Sequence, residues 1–246
     1  VTPNVERCAA VSTHRLSKTF GAQYALRNVD LEVQAGEFVA IFGPNGAGKT
    51  TLIRILSTLT KATSGEVVIE GHPLNKDSGK IRCKIGVIGH QTFLYENLTA
   101  EENLKFYARL YRVKKANDRI TQLLRDVGLE TRRKDQVRTF SRGMQQRLSI
   151  ARSLLHDPSL LLLDEPYTGL DQHASKMLTS WLTRLRERRQ TTLMVTHDLE
   201  RGVDLADRIA ILVRGKVVFN DLRANVDRSA FRQVYYDLVE KHNRQR

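Results

Sequence analysis

The segment Gly43-Pro44-Asn45-Gly46-Ala47-Gly48-Lys49-Thr50 limits what this chain can fold into more than any other stretch. It follows an apolar run, Phe38 to Phe42, and precedes residues at helical spacing, so it reads as strand, glycine-rich loop, helix. Glycines let the backbone turn with its N–H groups converging, and the start of the next helix adds partial positive charge, which together form a nest for phosphate. Lys49 is placed to reach terminal phosphates and Thr50 to hold Mg²⁺. A glycine-rich turn that merely precedes a helix needs neither the flanking strand nor the Lys-Thr pair. A phosphate loop fed by a strand belongs at the C-terminal edge of a parallel α/β sheet.

The rest of the chain agrees with an α/β class. With 246 residues and 41% apolar composition, one large unit or a core carrying an insertion fits, and disorder does not. The 15 Gly and 2 Cys exclude collagen-like and disulfide-rich classes. Apolar or alternating runs at Val11 to Leu16, Leu26 to Val33, Phe38 to Phe42, Val67 to Glu70 and Ile85 to Ile88 read as strands. A helix is expected from about Gly48. Thr99 to about Gly128 has helical spacing, through Leu104, Tyr107, Ala108 and Tyr111 and then Ile120, Leu123, Leu124 and Val127, and a further helix is expected from Ser141 to His156. Buried strands return at Leu160 to Leu163, Thr192 to Val195 and Ile209 to Val213, with helices near Ser175 to Arg189 and Leu199 to Ala206 between them. From about Asn220 the chain ends in an amphipathic helix (Phe231, Val234, Tyr235, Leu238) and a basic tip, Lys241 to Arg246, read as peripheral.

A second site follows from Leu160-Leu161-Leu162-Leu163-Asp164-Glu165, where two carboxylates emerge at the C-terminal end of a buried strand. There Asp164 suits the Mg²⁺ shell, and Glu165, pointing differently, suits polarising a water for in-line attack on a γ-phosphate.

The formal charge of +13 is compatible with nucleic acid, anionic lipid, phosphate ligands or a solvated surface, and does not choose among them. The basic runs Arg132-Arg133-Lys134 and Arg184 to Arg189 lack interleaved aromatics, so no nucleic-acid partner is expected. No apolar run approaches the roughly 20 residues that span a bilayer. Val1 to Thr13 does not read as an export signal, which leads to the expectation of a cytoplasmic chain. Cys8 and Cys83, far apart and without ligand spacing, read as ordinary thiols.

Further features occur in a fixed order: Gln91 after the strand at Ile85, Phe140-Ser141-Arg142-Gly143-Met144-Gln145-Gln146-Arg147 at a helix start, Gly169-Leu170-Asp171 past the acidic pair, and His197 ending the strand at Thr192. With the phosphate loop, this series resembles the nucleotide-binding subunit of ATP-binding cassette (ABC) transporters over roughly residues 11 to 220. The resemblance implies an α/β P-loop ATPase fold: a RecA-like parallel core with an antiparallel β subdomain (11–97 and 150–220), an inserted helical signature subdomain (98–149), and a C-terminal helix and tail (221–246). It implies an ATPase whose phosphate loop runs from Gly43 through Pro44, Asn45, Gly46, Ala47, Gly48, Lys49 and Thr50 to Thr51. Phe20 falls where the family stacks an aromatic ring on adenine, with Tyr24 its nearby rival. Thr50, Gln91 and Asp164 would hold Mg²⁺, and Glu165, His197 and Lys49 would carry catalysis. Ser141 and Gly143 would bind the γ-phosphate of ATP held by a second copy, and Asp171 would link the two sites.

One motif departs from the family's usual Leu-Ser-Gly-Gly-Gln: Arg142 replaces the first Gly, which puts turnover rate, rather than ATP binding, in question. The Ser-Arg-Gly-Met form and the Tyr95-Glu96-Asn97-Leu98-Thr99 segment are similar to those of exporters of drugs, polysaccharides and haem. Among these the chain most resembles the ATPase subunit of the haem exporter of cytochrome c biogenesis. The implied partners are transmembrane permease subunits and a second copy of the chain in an ATP-sandwich dimer. Its implied place is peripheral, on the cytoplasmic face of the cell membrane. The aromatics Phe93, Tyr95, Phe106, Tyr107 and Tyr111 suggest a groove for a helix of the permease, or else simply pack the subdomain. The rival reading is an ABC ATPase of an assembly system, such as iron-sulfur cluster biogenesis.

Overall fold

The structure is a computed structural model that describes residues 9–89 and 91–244. Expectations about Val1 to Cys8 and the last two residues of the basic tip lie outside the described residues. In chain order come β1 (Ala9–Phe20), β2 (Gln23–Gln34), β3 (Phe38–Phe42), α1 (Lys49–Leu56), β4 (Ser64–Ile69), β5 (His72–Pro73), α2 (Ser78–Arg82) and β6 (Ile85–Ile88). The helical stretch follows, with α3 (Ala100–Leu110), α4 (Ala116–Asp126) and α5 (Arg142–Leu154). The second half holds β7 (Leu160–Asp164), α6 (Gln172–Glu187), β8 (Thr191–Thr196), α7 (Leu199–Leu205), β9 (Arg208–Val213), β10 (Lys216–Leu222) and α8 (Phe231–Arg244).

Two sheets form. The larger has the order β10-β9-β3-β8-β7-β6, parallel throughout except for β10, which pairs antiparallel at one edge. The smaller is antiparallel, in the order β2-β1-β4-β5. In β3 and β7 every residue is buried, as a parallel sheet covered on both faces requires. Side chains alternate along each strand and feed two cores. Phe38, Ala40, Phe42, Leu161, Leu163 and Met194 face one core, shared with α3 to α8. Val39, Ile41, Leu160, Leu162, Leu193 and Val195 face the other, shared with α1 and the smaller sheet.

The helical stretch breaks after Leu110, and Lys115 with φ +50° reverses the chain into α4. Thr99 and Glu102 form a reciprocal capping box that starts α3, and the Ser141 hydroxyl accepts from the Met144 N–H at 3.2 Å to start α5. Leu104, Ile120, Leu123, Leu124 and Leu148 close the small core between these helices.

Two parts of the sequence reading need correction. Three elements, β5, α2 and β10, have no counterpart in it, because β5 and α2 are too short for a hydrophobic pattern to repeat and β10 is only half-buried. The C-terminal helix is not peripheral: Phe231 is 2% exposed and its ring meets that of Phe42 at 5.4 Å. The apolar stripe of α8 needs cover, and β3 and β9 supply it; Val234, read with the stripe, is 39% exposed.

Candidate active site

The C-terminal ends of β3, β7 and β8 lie side by side and deliver three groups to one place. From β3 the chain turns through Gly43 into α1, whose N-cap is Gly48 in the left-handed region at φ +106°. Gly43 passes so close to β9 that a Cβ there would lie 2.2 Å from the Leu212 carbonyl oxygen. A Cβ on Gly48 would lie 2.3 Å from the carbonyl oxygen of Ala25, on β2. The loop is therefore wedged between the two sheets, and glycine is required by close approach as well as by conformation. Gly215, between β9 and β10, clamps it further: its N–H donates to the Ala47 carbonyl at 2.8 Å, and its own carbonyl accepts from Arg27 N–H at 2.7 Å. Sequence reasoning missed Gly215, although Arg214-Gly215 between apolar runs is a recognisable turn signal.

Lys49 is buried, and its ammonium donates to the carbonyls of Gly43 at 2.5 Å and Pro44 at 3.2 Å. It stands 3.5 Å from Glu165 Oε1. The Thr50 hydroxyl donates to Asp164 Oδ1 at 3.1 Å, joining the helix start to the end of β7. One hydroxyl and one carboxylate beside a phosphate nest make a hard oxygen donor set, which suits a Mg²⁺ ion that takes its remaining ligands from phosphate and water. Among the described residues no group of three or more His, Cys, Asp or Glu is arranged to hold a metal ion by itself. Thr51 follows half-buried on α1, while Asn45 and Gly46 are exposed at the loop's tip.

Glu165 adopts φ +50°, a conformation that costs a non-glycine residue roughly 1 kcal/mol or more. Its N–H donates to the Val195 carbonyl at 2.9 Å, and its Oε2 sits 2.8 Å from His197 Nδ1 and accepts from the His197 N–H at 3.2 Å. The carboxylate is thereby held between Lys49 and His197, turned away from Asp164's direction along the strand. Gln91 lines a cleft of about 380 Å³ together with Glu165, Thr168, Arg142 and Phe93.

A second group of predicted residues gathers apart from the first. Asp171 caps α6 by accepting from the Ala174 N–H at 2.7 Å, and a Cβ on Gly143 would lie 4.0 Å from both Asp171 Oδ2 and Ser141 Oγ. No hydrogen bond joins Ser141, Gly143 or Asp171 to the phosphate loop among the described residues. Between the groups, the Arg142 guanidinium rests on Gly169, where a Cβ would come within 2.4 Å of it. Phe20 stands at the β1–β2 hairpin, 57% exposed, with the Lys18 ammonium 4.9 Å from its ring centroid; Tyr24 is also exposed and carries Arg27 over its ring. Burial pushes the Tyr235 phenol up from its ordinary value, with smaller contributions from Tyr236 and the Glu165 carboxylate, so α8 reaches the neighbourhood of the site.

A strand, phosphate loop and helix facing an acidic pair at the ends of parallel strands define a P-loop nucleotide-binding site. The sequence model of the family described as "ABC transporter" matches residues 26–168, and the chain belongs to that family. The linearmycin resistance ATP-binding protein LnrL of Bacillus subtilis (strain 168) is 33% identical over 210 residues, which cover 85% of this chain and 68% of that one. NatA, an ABC transporter ATP-binding protein of the same strain, is 36% identical over 198 residues, covering 79% of this chain and 80% of its own. The bacitracin transport ATP-binding protein BcrA of Bacillus licheniformis is 37% identical over 235 residues, 95% of this chain and 72% of that one. Among solved structures, an ATP-binding subunit of an ABC transporter superposes with TM-score 0.85 at 31% identity, covering 93% of this chain and 99% of the other. The dimeric cassette MJ0796 in a post-hydrolysis state with ADP and Pi superposes with TM-score 0.78 at 34% identity, covering 87% and 98%. The fold is the ABC ATPase fold, with its antiparallel β subdomain and helical subdomain, and the chain is an ABC transporter ATPase that couples ATP hydrolysis to transport.

Proposed function

We propose that this chain is the nucleotide-binding subunit of an exporter, that two copies close over two ATP molecules, and that closure and hydrolysis drive separate membrane-spanning subunits. The observation that carries the hydrolytic half is the Glu165 carboxylate, held 2.8 Å from His197 Nδ1 and 3.5 Å from Lys49 where β7 and β8 end. The amides of Gly43 to Thr51 cradle the phosphates, and Lys49 exchanges its loop carbonyls for phosphate oxygens. Thr50, Asp164 and Gln91 are the residues that would hold Mg²⁺, which neutralises charge on the phosphates. Glu165 accepts a proton as a water oxygen bonds to the γ-phosphorus and the bond to the β,γ-bridging oxygen breaks; His197 keeps the carboxylate aimed. Phe20 stacks on the base.

Ser141 and Gly143 at the start of α5 lie apart from their own phosphate loop, which supports their use by the second copy: an N-capped helix terminus presents N–H groups and positive dipole to a γ-phosphate. Asp171, beside Gly143, then links the two sites. Residues 98–149 form the signature subdomain, 11–97 with 150–220 the catalytic core, and 221–246 the tail. Among the described residues no helix is long and apolar enough to cross a membrane. Membership of the family supports a transport path in permease subunits that hold the chain at the cytoplasmic face. The relatives' roles in linearmycin, daunorubicin and bacitracin resistance or transport favour a drug-like cargo over the haem expected from the signature.

Glu165→Gln tests the reading. The variant binds ATP with wild-type affinity, loses turnover by about 100-fold or more, and elutes as a dimer in ATP. Wild-type turnover in this variant overturns the base assignment.

A further inference from the structure

Gly143, Gln146, Arg147 and Ile150 share one face of α5, and Ala174, Met177, Leu178 and Trp181 share one face of α6. Facing helix stripes ordinarily interdigitate along their length. These two come together at their first turns, where a Cβ on Gly143 would lie 3.4 Å from the Ala174 Cβ. Beyond that approach they enclose a pocket of about 380 Å³, bounded on a third side by Asp126 and Val127 at the end of α4.

The lining joins two chemistries. Val127, Ile150, Leu170, Met177 and the half-buried Trp181 make apolar walls, and Trp181 is their one aromatic surface, suited to stacking on a flat ring. Arg147, Lys176 and Arg184 bring three cations against one acid, Asp126. Lys176 and Arg184 are exposed and make no ion pair among the described residues. Arg147 donates to the carbonyls of Val127 at 3.2 Å and Gly128 at 3.4 Å, which fixes its charge at the pocket wall. A space of this size suits a small molecule, and an excess of cations around apolar walls selects one that carries an acid group.

We propose that this pocket binds a small aromatic molecule with a single anionic group, and that its occupancy lowers ATP turnover. Ser141 does not line the pocket, so a bound molecule leaves the signature hydroxyl uncovered and acts on the helices instead. It fills the seam between α5, which carries Gly143, and α6, which Asp171 caps, and so holds the two at one separation. Turnover requires Ser141, Gly143 and Asp171 to settle on the ATP of a second copy and to leave it again; the regulatory half of the inference rests on that reading.

Trp181 is the single tryptophan of the chain, so its fluorescence reports from the pocket wall. The probes are anilinonaphthalene sulfonate, an aromatic monoanion, and phenylnaphthylamine, the same rings without the sulfonate. In the full chain the sulfonate is expected to quench Trp181 by energy transfer at one molecule per chain and to bind about 10-fold more tightly than the amine. Lys176→Glu with Arg184→Glu should remove that preference while leaving ATPase activity without probe unchanged. With wild type, ATPase activity should fall in step with the quench. Binding without energy transfer from Trp181, equal affinity for the two probes, a preference that survives both charge reversals, or full displacement of the sulfonate by ADP overturns the site. Unchanged turnover at full quench overturns the regulation. Ser141→Ala, assayed in parallel, tests the underlying reading separately: wild-type turnover in that variant removes the proposed role of Ser141, whereas the fluorescence titration still decides the pocket.

Discussion

At the scale of single residues, two positions of the phosphate loop are glycine for different reasons. Gly43 has no unusual φ, yet a Cβ would stand 2.2 Å from the backbone of β9, which cannot give way. Gly46 has φ +77° and open space around it. Gly43→Ala should therefore displace the loop, abolish nucleotide binding and cost about 1–3 kcal/mol of stability. Gly46→Ala should cost only the ~1 kcal/mol of a left-handed alanine. Titration with a fluorescent nucleotide and thermal unfolding separate the two; equal effects would mean that backbone conformation alone governs the loop. The chemistry of Lys49, Thr50, Asp164 and Glu165 was legible in the sequence because the spacing of the loop and the end of an apolar strand are local patterns. That Glu165 sits in the left-handed region, braced by Val195 and His197, was not legible, since the brace comes from a strand some thirty residues away.

At the scale of elements, α3 is tied to the turn before α5 by Glu101. Its carboxylate takes Arg133 at 3.0 Å and Lys105 at 2.7 Å, and its N–H donates to the Arg133 carbonyl at 2.9 Å. Arg133 and Lys105 hold the Glu101 carboxyl down at about 2, from an ordinary 4.5. A carboxyl lowered on folding stabilises the folded state above its ordinary value and loses that contribution as pH falls through the lowered one. Because both cations remain partly in water, the amount is on the order of 1 kcal/mol. Glu101→Gln should thus be less stable than wild type at pH 7, and the gap should close between about pH 4.5 and 2 in denaturant titrations. A gap that persists unchanged to pH 2 would mean that the loss comes from packing. The helices themselves were legible through their caps and apolar spacing; Thr99 with Glu102, and Ser141, are N-terminal signals that need no tertiary information. The short β5 and α2 carry no such signal and exist because neighbouring strands and turns give them partners.

For the whole molecule, the seat of α8 matters most. Phe231 meets Phe42, the last residue before the phosphate loop, and a Cβ on Gly202 of α7 would lie 2.4 Å from the Phe42 ring. The end of β3 is thus gripped by two helices that come more than 150 residues later in the chain. Phe231→Ala should leave a cavity there and cost about 3 kcal/mol or more, lowering the unfolding midpoint by ~10 °C in one cooperative transition. An unchanged midpoint would show that α8 is dispensable to the core. What the sequence by itself determined is whatever repeats or caps along a short stretch: the phosphate loop, the acid pair, the strand runs, the signature helix and the family they point to. Only the tertiary structure decided which strand lies beside which, that β10 closes the sheet edge, that the tail helix belongs to the core, and that Arg152 is buried. Periodicity and capping are properties of neighbours along the chain, whereas burial and close approach are properties of residues far apart in it, and no local pattern records which distant surface will cover a given face.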